Sequence, residues 1–363
     1  MSGSLVDWRV AERVAVRVSG ASEADGRRSP PSLGAERLAA TCVEAEALIR
    51  EYSRLDPAGA LPRGEAVGRA EWTRAALRTL GELGSELERE HRLEISLPGP
   101  LGGVARSAVR LGAGTEVGLA AGYAARRVLG QYDLGLLGPE RPPRLLFVAP
   151  NLVGAAAELR VGFEPFLRWV ALHETTHAIQ FAAAPWLRAH LGDLVRRLLA
   201  DARAGISLRD LARRLAANPR GALTSFLRGD LARAIAGPRQ LPLLDSIQAT
   251  MTVVEGHAEH VMDAAAADFI PEVSMLRERL ERRRRSRGPL ETIVARLLGL
   301  DLKLRQYELG KRFCDGVVER GGTEALNRIW DGSERLPSLD ELERPAAWLE
   351  RAAPRPAGPA TIR

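Results

Sequence analysis

Cysteine is scarce in this chain of 363 residues: Cys42 and Cys314 are the only two, and no Cys-x-x-Cys pair occurs. Two thiols cannot build a disulfide framework, which suits a reducing compartment. Lysine is equally scarce, with Lys303 and Lys311 the only two among 52 basic residues. Arginine supplies the rest and is spread along the whole chain, so the bias points to a GC-rich genome more than to a binding function. The formal net charge of +6 is compatible with nucleic acid without arguing for it, and no nucleic-acid partner is expected. Long apolar runs are missing too: no stretch of about 18 uninterrupted apolar residues exists, so no membrane span is expected. The opening segment MSGSLVDWRVAERVAVRVSG carries Asp7, Arg9, Glu12 and Arg13 and lacks the continuous apolar core of a signal peptide. The expected location is the cytoplasm. Internal repeats and low-complexity blocks are absent.

What is present is ordinary globular composition, 45% hydrophobic and 27% charged, in a chain long enough for one large domain or two intimate ones. Alanine, leucine and arginine favour helix. Helical spacing appears at residues 6–18, 35–54, 66–91, 107–130, 165–181, through the 190s, and at 207–216, 222–235, 244–266, 272–285 and 289–320. The best strand is Leu145-Leu-Phe-Val-Ala149, between the Gly- and Pro-rich segment 138–143 and Pro150, with a weaker one at 93–97. The pattern predicts a mainly α fold with a minor β element just before the helix at 165–181. We divide it into an N-terminal helical region, 1–140, a catalytic region, 141–350, and a disordered tail, 351–363.

That helix carries His173-Glu-Thr-Thr-His177, two of only six histidines. Residues i and i+4 project from one helix face, about 6 Å apart along the axis, which is the separation two imidazoles need to grip one Zn²⁺. Glu174, turned about 100° from His173, can lean over an open coordination position and take a proton from water there. A catalytic zinc needs a third protein ligand. The segment Met251 to Asp263 holds His257 and His260 together with Glu255, Glu259 and Asp263, a stripe of acids at i, i+4 and i+8 on an otherwise apolar helix. Burying acids without partners costs several kcal/mol each, so the stripe calls for a cation or donors opposite it. Glu255 is assigned as third ligand, with Glu259 accepting the free ring N–H of a ligating histidine and Asp263 serving other groups around the site. His257 is the competing ligand. It lies about 200° from Glu255 around the helix, so the two are not expected on one metal. Gln180 and Ala183 stand where a metzincin has Gly and His, which excludes that arrangement.

The histidine helix followed by Glu255-Gly-His-Ala-Glu259 resembles the gluzincin arrangement of certain aminopeptidases, although 78 residues separate His177 from Glu255. Val6-Asp-Trp8, Val128-Leu-Gly-Gln-Tyr-Asp133, Leu145-Leu-Phe-Val-Ala-Pro-Asn151, His173 to Phe181, Pro185-Trp-Leu-Arg188, Gln306-Tyr-Glu-Leu-Gly-Lys311 and Leu336-Pro-Ser-Leu-Asp340 together resemble the zincin-like metallopeptidase family over nearly the whole chain. The short amino terminus is similar to the branch associated with deazaflavin coenzyme biosynthesis. The resemblance implies a helical, gluzincin-type metallohydrolase with one Zn²⁺ per chain, acting on a peptide or other amide. It also implies a tyrosine or histidine that steadies an oxyanion. Tyr307 is the first candidate for that role and Tyr132 the second. His190 and His260 are read as surface or supporting residues.

Other motifs carry less. The run from Arg277 to Arg287 is interleaved with Glu278 and Glu281, which favours a solvated helix end with Glu278–Arg282 pairing over a polyanion site. Gly112-Ala-Gly-Thr-Glu-Val-Gly118 follows no strand and is read as a close helix crossing, not a phosphate loop. No Gly-x-Ser-x-Gly elbow or Walker A sequence is present. Three functions remain: a metallopeptidase, a small-molecule amidase using the same site, and a non-catalytic zinc-bound interaction protein. An intact Glu174 argues against the last. The resemblance to zincins implies that the strand at 145–149 runs beside the cleft and aligns an extended substrate by edge pairing.

Overall fold

In the computed structural model, the described residues are 6–21, 33–91, 102–135, 141–203, 237–271, 273–285 and 300–353. The helices expected at 207–216 and 222–235, the weak strand at 93–97 and residues 354–363 of the tail lie outside them. The elements in chain order are α1 (Trp8–Val18), α2 (Ala35–Ser53), β1 (Gly64–Val67), α3 (Arg69–His91), α4 (Gly102–Ala125), β2 (Gly130–Asp133), β3 (Arg144–Val148), α5 (Ala149–Leu159), α6 (Phe163–Ala183) and α7 (Trp186–Arg203). Then follow α8 (Leu241–Phe269), α9 (Val273–Arg285), α10 (Leu300–Asn327), two short 3-10 turns, α11 (Leu339–Leu342) and α12 (Pro345–Ala352). The fold is mainly α, with one small sheet among the described residues. Among the described residues, no helix is long and apolar enough to cross a membrane.

The chain forms two units, and the first comprises residues 1–49, 59–179 and 265–291. Its sheet has the order β1-β3-β2, with β1 parallel to β3 and β2 antiparallel to it. β3 reads as a continuous apolar run because it is central: Leu145, Leu146, Phe147 and Val148 are all buried. This corrects the expectation that residues 145–149 offer an edge to substrate, since both edges of β3 are taken and, among the described residues, the sheet's own edges are β1 and β2. β1 and β2, four residues each and half-buried, overlap the start of the stretch 66–91 and the end of the stretch 107–130, whose spacing predicted helix. Pro150 does not merely end the strand. It starts α5, where the missing N–H costs nothing.

The polar hinge between these elements is Asn151. Its amide donates to the carbonyls of Ala125 (2.8 Å) and Val128 (2.7 Å), while its oxygen accepts from Arg69 Nε (2.7 Å). α1 is capped by Asp7, which accepts from the N–H groups of Arg9 and Val10. The expected glycine crossing is present: Gly114, Gly118 and Gly122 of α4 each lie against a backbone carbonyl of α1 or its cap, those of Asp7, Ala11 and Ala15. In α9 the expected pair of Arg282 with Glu278 is present, and Arg279 reaches back to the last carbonyls of α5.

The second unit comprises residues 50–58, 180–264 and 292–363. In it α8 and α10 cross with touching backbones. A Cβ on Gly256 would meet Gly310 C at 2.1 Å, and one on Gly310 would meet Thr252 O at 2.0 Å. Trp348 is fully buried, donates to Arg335 O (2.8 Å) and sits edge-on to Phe313.

Candidate metal centre

α6 is apolar on nearly every side. Phe166, Leu167, Ala171, Leu172, Ala178 and Ile179 are fully buried, as expected of a helix through a protein interior. Each large side chain so buried stabilises the fold by about 1.5–3 kcal/mol. Thr176 returns its hydroxyl to Leu172 O (2.7 Å), and Pro185 ends the helix. On this rigid rod His173 and His177 are half-buried, with rings 4.6 Å apart edge to face and Nε2 atoms 3.1 Å apart. Glu174, between them in sequence, is buried, and its side chain lies against Gly130 of β2.

His173 and His177 belong to the first unit, and Glu255, the third ligand expected from the sequence, is buried in the second. The chemistry of these three residues fits zinc: two imidazole nitrogens and one carboxylate oxygen, the number and kind of protein donors a catalytic zinc takes. Tetrahedral ligands at about 2.0–2.1 Å stand about 3.3 Å apart, close to the 3.1 Å between the two Nε2 atoms.

His257 is buried. Gln180 donates from Nε2 to Val254 O and to His257 Nδ1, both at 2.9 Å, which leaves the neutral ring's proton on Nε2. The His257 ring rests edge-on against Trp330. Glu259 is half-buried one turn after Glu255. Asp263 pairs with Lys311 Nζ (2.9 Å). His190 packs on Trp186, and burial lowers its pKa. Tyr132 is half-buried in β2, and burial pushes its phenol up to about 12, so it remains a hydrogen-bond donor through the neutral range. The side chain of Tyr307 lies outside the described ones.

Sequence reasoning missed one network. His260, which is buried, contacts Tyr52 OH through Nε2 (2.8 Å) and Asp315 through Nδ1 (2.7 Å). Lys311 bridges Asp315 (2.6 Å) and Asp263 (2.9 Å). Its signal was compositional: a chain that uses arginine almost everywhere keeps a lysine at 311, where a compact charge fits between two acids. Sequence reasoning also missed Gly130. β2 is short, and Gly130 stands opposite Phe147 while Val148 N–H donates across to Leu129 O (2.8 Å). That pattern marks 130–147 as a non-hydrogen-bonded pair, so the N–H and C=O of Gly130 point away from β3, toward the outer edge of the sheet.

The model of the zincin-like metallopeptidase family matches residues 6–349. Comparison with curated proteins finds no match. Among solved structures, a candidate hydrolase with a novel fold from Chloroflexus aurantiacus is similar at 30% identity and a TM-score of 0.68, over 95% of this chain and 98% of that one.

Proposed function

The chain belongs to the zincin-like metallopeptidase family, and from that premise we propose that it is a zinc-dependent peptidase with Glu174 as general base. His173, His177 and Glu255 would hold the ion. When bound, zinc polarises a carbonyl and lowers the pKa of a coordinated water to about 7. Glu174 accepts the proton of the attacking water as its oxygen adds to the amide carbon. The same carboxyl then delivers that proton to the nitrogen as the C–N bond breaks, so the base ends the cycle as it began. Glu259 would orient a ligating imidazole through its second ring nitrogen.

The observation that carries this reading is the pair of Nε2 atoms 3.1 Å apart on one helix, with the buried Glu174 between them in sequence. A structural zinc site needs no base at that position. The outward amide of Gly130, on an edge strand touching Glu174, supports an extended peptide as substrate over a compact small-molecule amide. The decisive experiment loads the protein with zinc, measures metal per chain, and assays a quenched fluorescent peptide library. Glu174→Gln should keep about one zinc per chain and lose turnover by about 10³-fold or more. Undiminished turnover in that variant would remove Glu174 from the mechanism.

A further inference from the structure

We propose that Gly130 is a positioning residue: the missing side chain of the β2 edge strand is the seat into which the Glu174 carboxylate fits. An ideal Cβ at position 130 would lie 2.5 Å from Glu174 Cγ, 2.8 Å from Cδ and 2.8 Å from Oε1. Carbon atoms in good contact stand about 3.5–4.0 Å apart, so the chain atoms of Glu174 occupy the volume of the absent methyl. The need for glycine here is spatial. Among the described residues the left-handed glycines are Gly20, Gly135 and Gly322, and Gly130 has an ordinary backbone that alanine can adopt.

Neither wall of the seat can retreat. β2 is registered on β3 through Phe147 and Val148, both fully buried, with the Val148 N–H to Leu129 O bond beside the glycine. α6 is held by Leu172 and Ala178, fully buried on either side of the Glu174 turn. What must yield to a methyl at 130 is the rotamer of Glu174. A displacement of about 1 Å in a reacting group is enough to cost about 10²-fold in rate. Position 130 therefore sets where the base stands, although it touches no reacting atom itself. This rests on the reading of Glu174 as the base, but the contact does not.

The test is a double-mutant cycle on the full chain, read first by thermal melting. Gly130→Ala alone is expected to lower Tm by about 2–6 °C, the range of a forced overpacking contact. In the Glu174→Ala background, which removes all three contacted atoms, the same change should lower Tm by less than about 1 °C. Equal losses in both backgrounds would overturn the proposal. If Gly130→Ala alone fails to fold, Glu174→Ala should restore folding, and failure to do so also overturns it. A second readout compares metal and turnover. Gly130→Ala should keep about one zinc per chain while kcat on the peptide library falls by about 10²-fold and KM moves little. Full kcat in Gly130→Ala would refute the positioning role. A wild-type protein that binds zinc and cleaves nothing would count against the proposed function, while the melting cycle would still decide the seat.

Discussion

One methyl group, added at two different glycines, should move stability in opposite directions. At Gly256 an added Cβ stands 2.1 Å from Gly310 C, 2.3 Å from its Cα and 2.6 Å from its O. Relieving the first contact to about 3.5 Å requires α8 and α10 to part by about 1.4 Å. Both partners at the clash are backbone, so no side chain can swing aside. The neighbours Val253, Ala258, Phe313 and Cys314 are all fully buried, and separation unpacks them together. Overpacking of this kind costs about 3 kcal/mol or more, which lowers Tm by roughly 6 °C in a chain of this size. At Gly154, on the exposed face of α5, nothing lies within 4 Å of the same added Cβ. Alanine there should raise stability by about 0.5–1 kcal/mol, the difference in helix propensity. Differential scanning calorimetry of Gly256→Ala and Gly154→Ala against wild type decides the matter. Zinc competition with a chromophoric chelator, run alongside, should show weaker binding in Gly256→Ala, because the shift begins one residue from Glu255. A Gly256→Ala protein melting within about 1 °C of wild type would refute the crossing and the argument built on it.

Three further expectations follow from the same geometry. Asn151→Leu removes two donors to buried carbonyls and the acceptor for Arg69, and should cost about 2–4 kcal/mol in urea unfolding; a loss below about 1 kcal/mol contradicts its role. For Asp315, burial alone would raise the pKa, but hydrogen bonds from Lys311 and His260 outweigh it and hold the group below its ordinary value. A depressed acid stabilises the fold above its unfolded pKa of about 3.9 and stops doing so as pH falls through the folded value. Below about pH 4, wild type should therefore lose Tm faster than Asp315→Asn, and parallel curves would exclude the effect. Burial also pushes the Cys42 thiol up to about 12 and raises that of Cys314. Neither should react with a disulfide reagent at pH 8 until the protein is unfolded, and one equivalent titrated in the native state would contradict this.

How much of this was legible beforehand depends on how local the signal is. The His173–His177 pair needed only helix periodicity, and the assignment of Glu255 rests on the cost of burying acids on an apolar helix. β3 was legible because central strands are uniformly apolar. β1 and β2 were not: Gly64 to Val67 and Gly130 to Asp133 carry no period of their own and become strands by pairing with β3. The choice of edge followed from that, so the expected substrate edge moved from β3 to β2. His257 could not be separated from Glu255 by spacing alone with full force; the amide of Gln180, 77 positions away in sequence, is what occupies its ring nitrogen. Asp263 illustrates the same limit, since nothing near it in sequence announces Lys311.

The proposed function requires one zinc ion on His173, His177 and Glu255. Crystals of the zinc-loaded protein, measured on either side of the zinc absorption edge, test it directly. The account predicts a single strong anomalous peak per chain, within about 2.0–2.2 Å of both imidazole nitrogens and a Glu255 oxygen. A peak ligated by His257 in place of Glu255, or no peak at this helix, would contradict it.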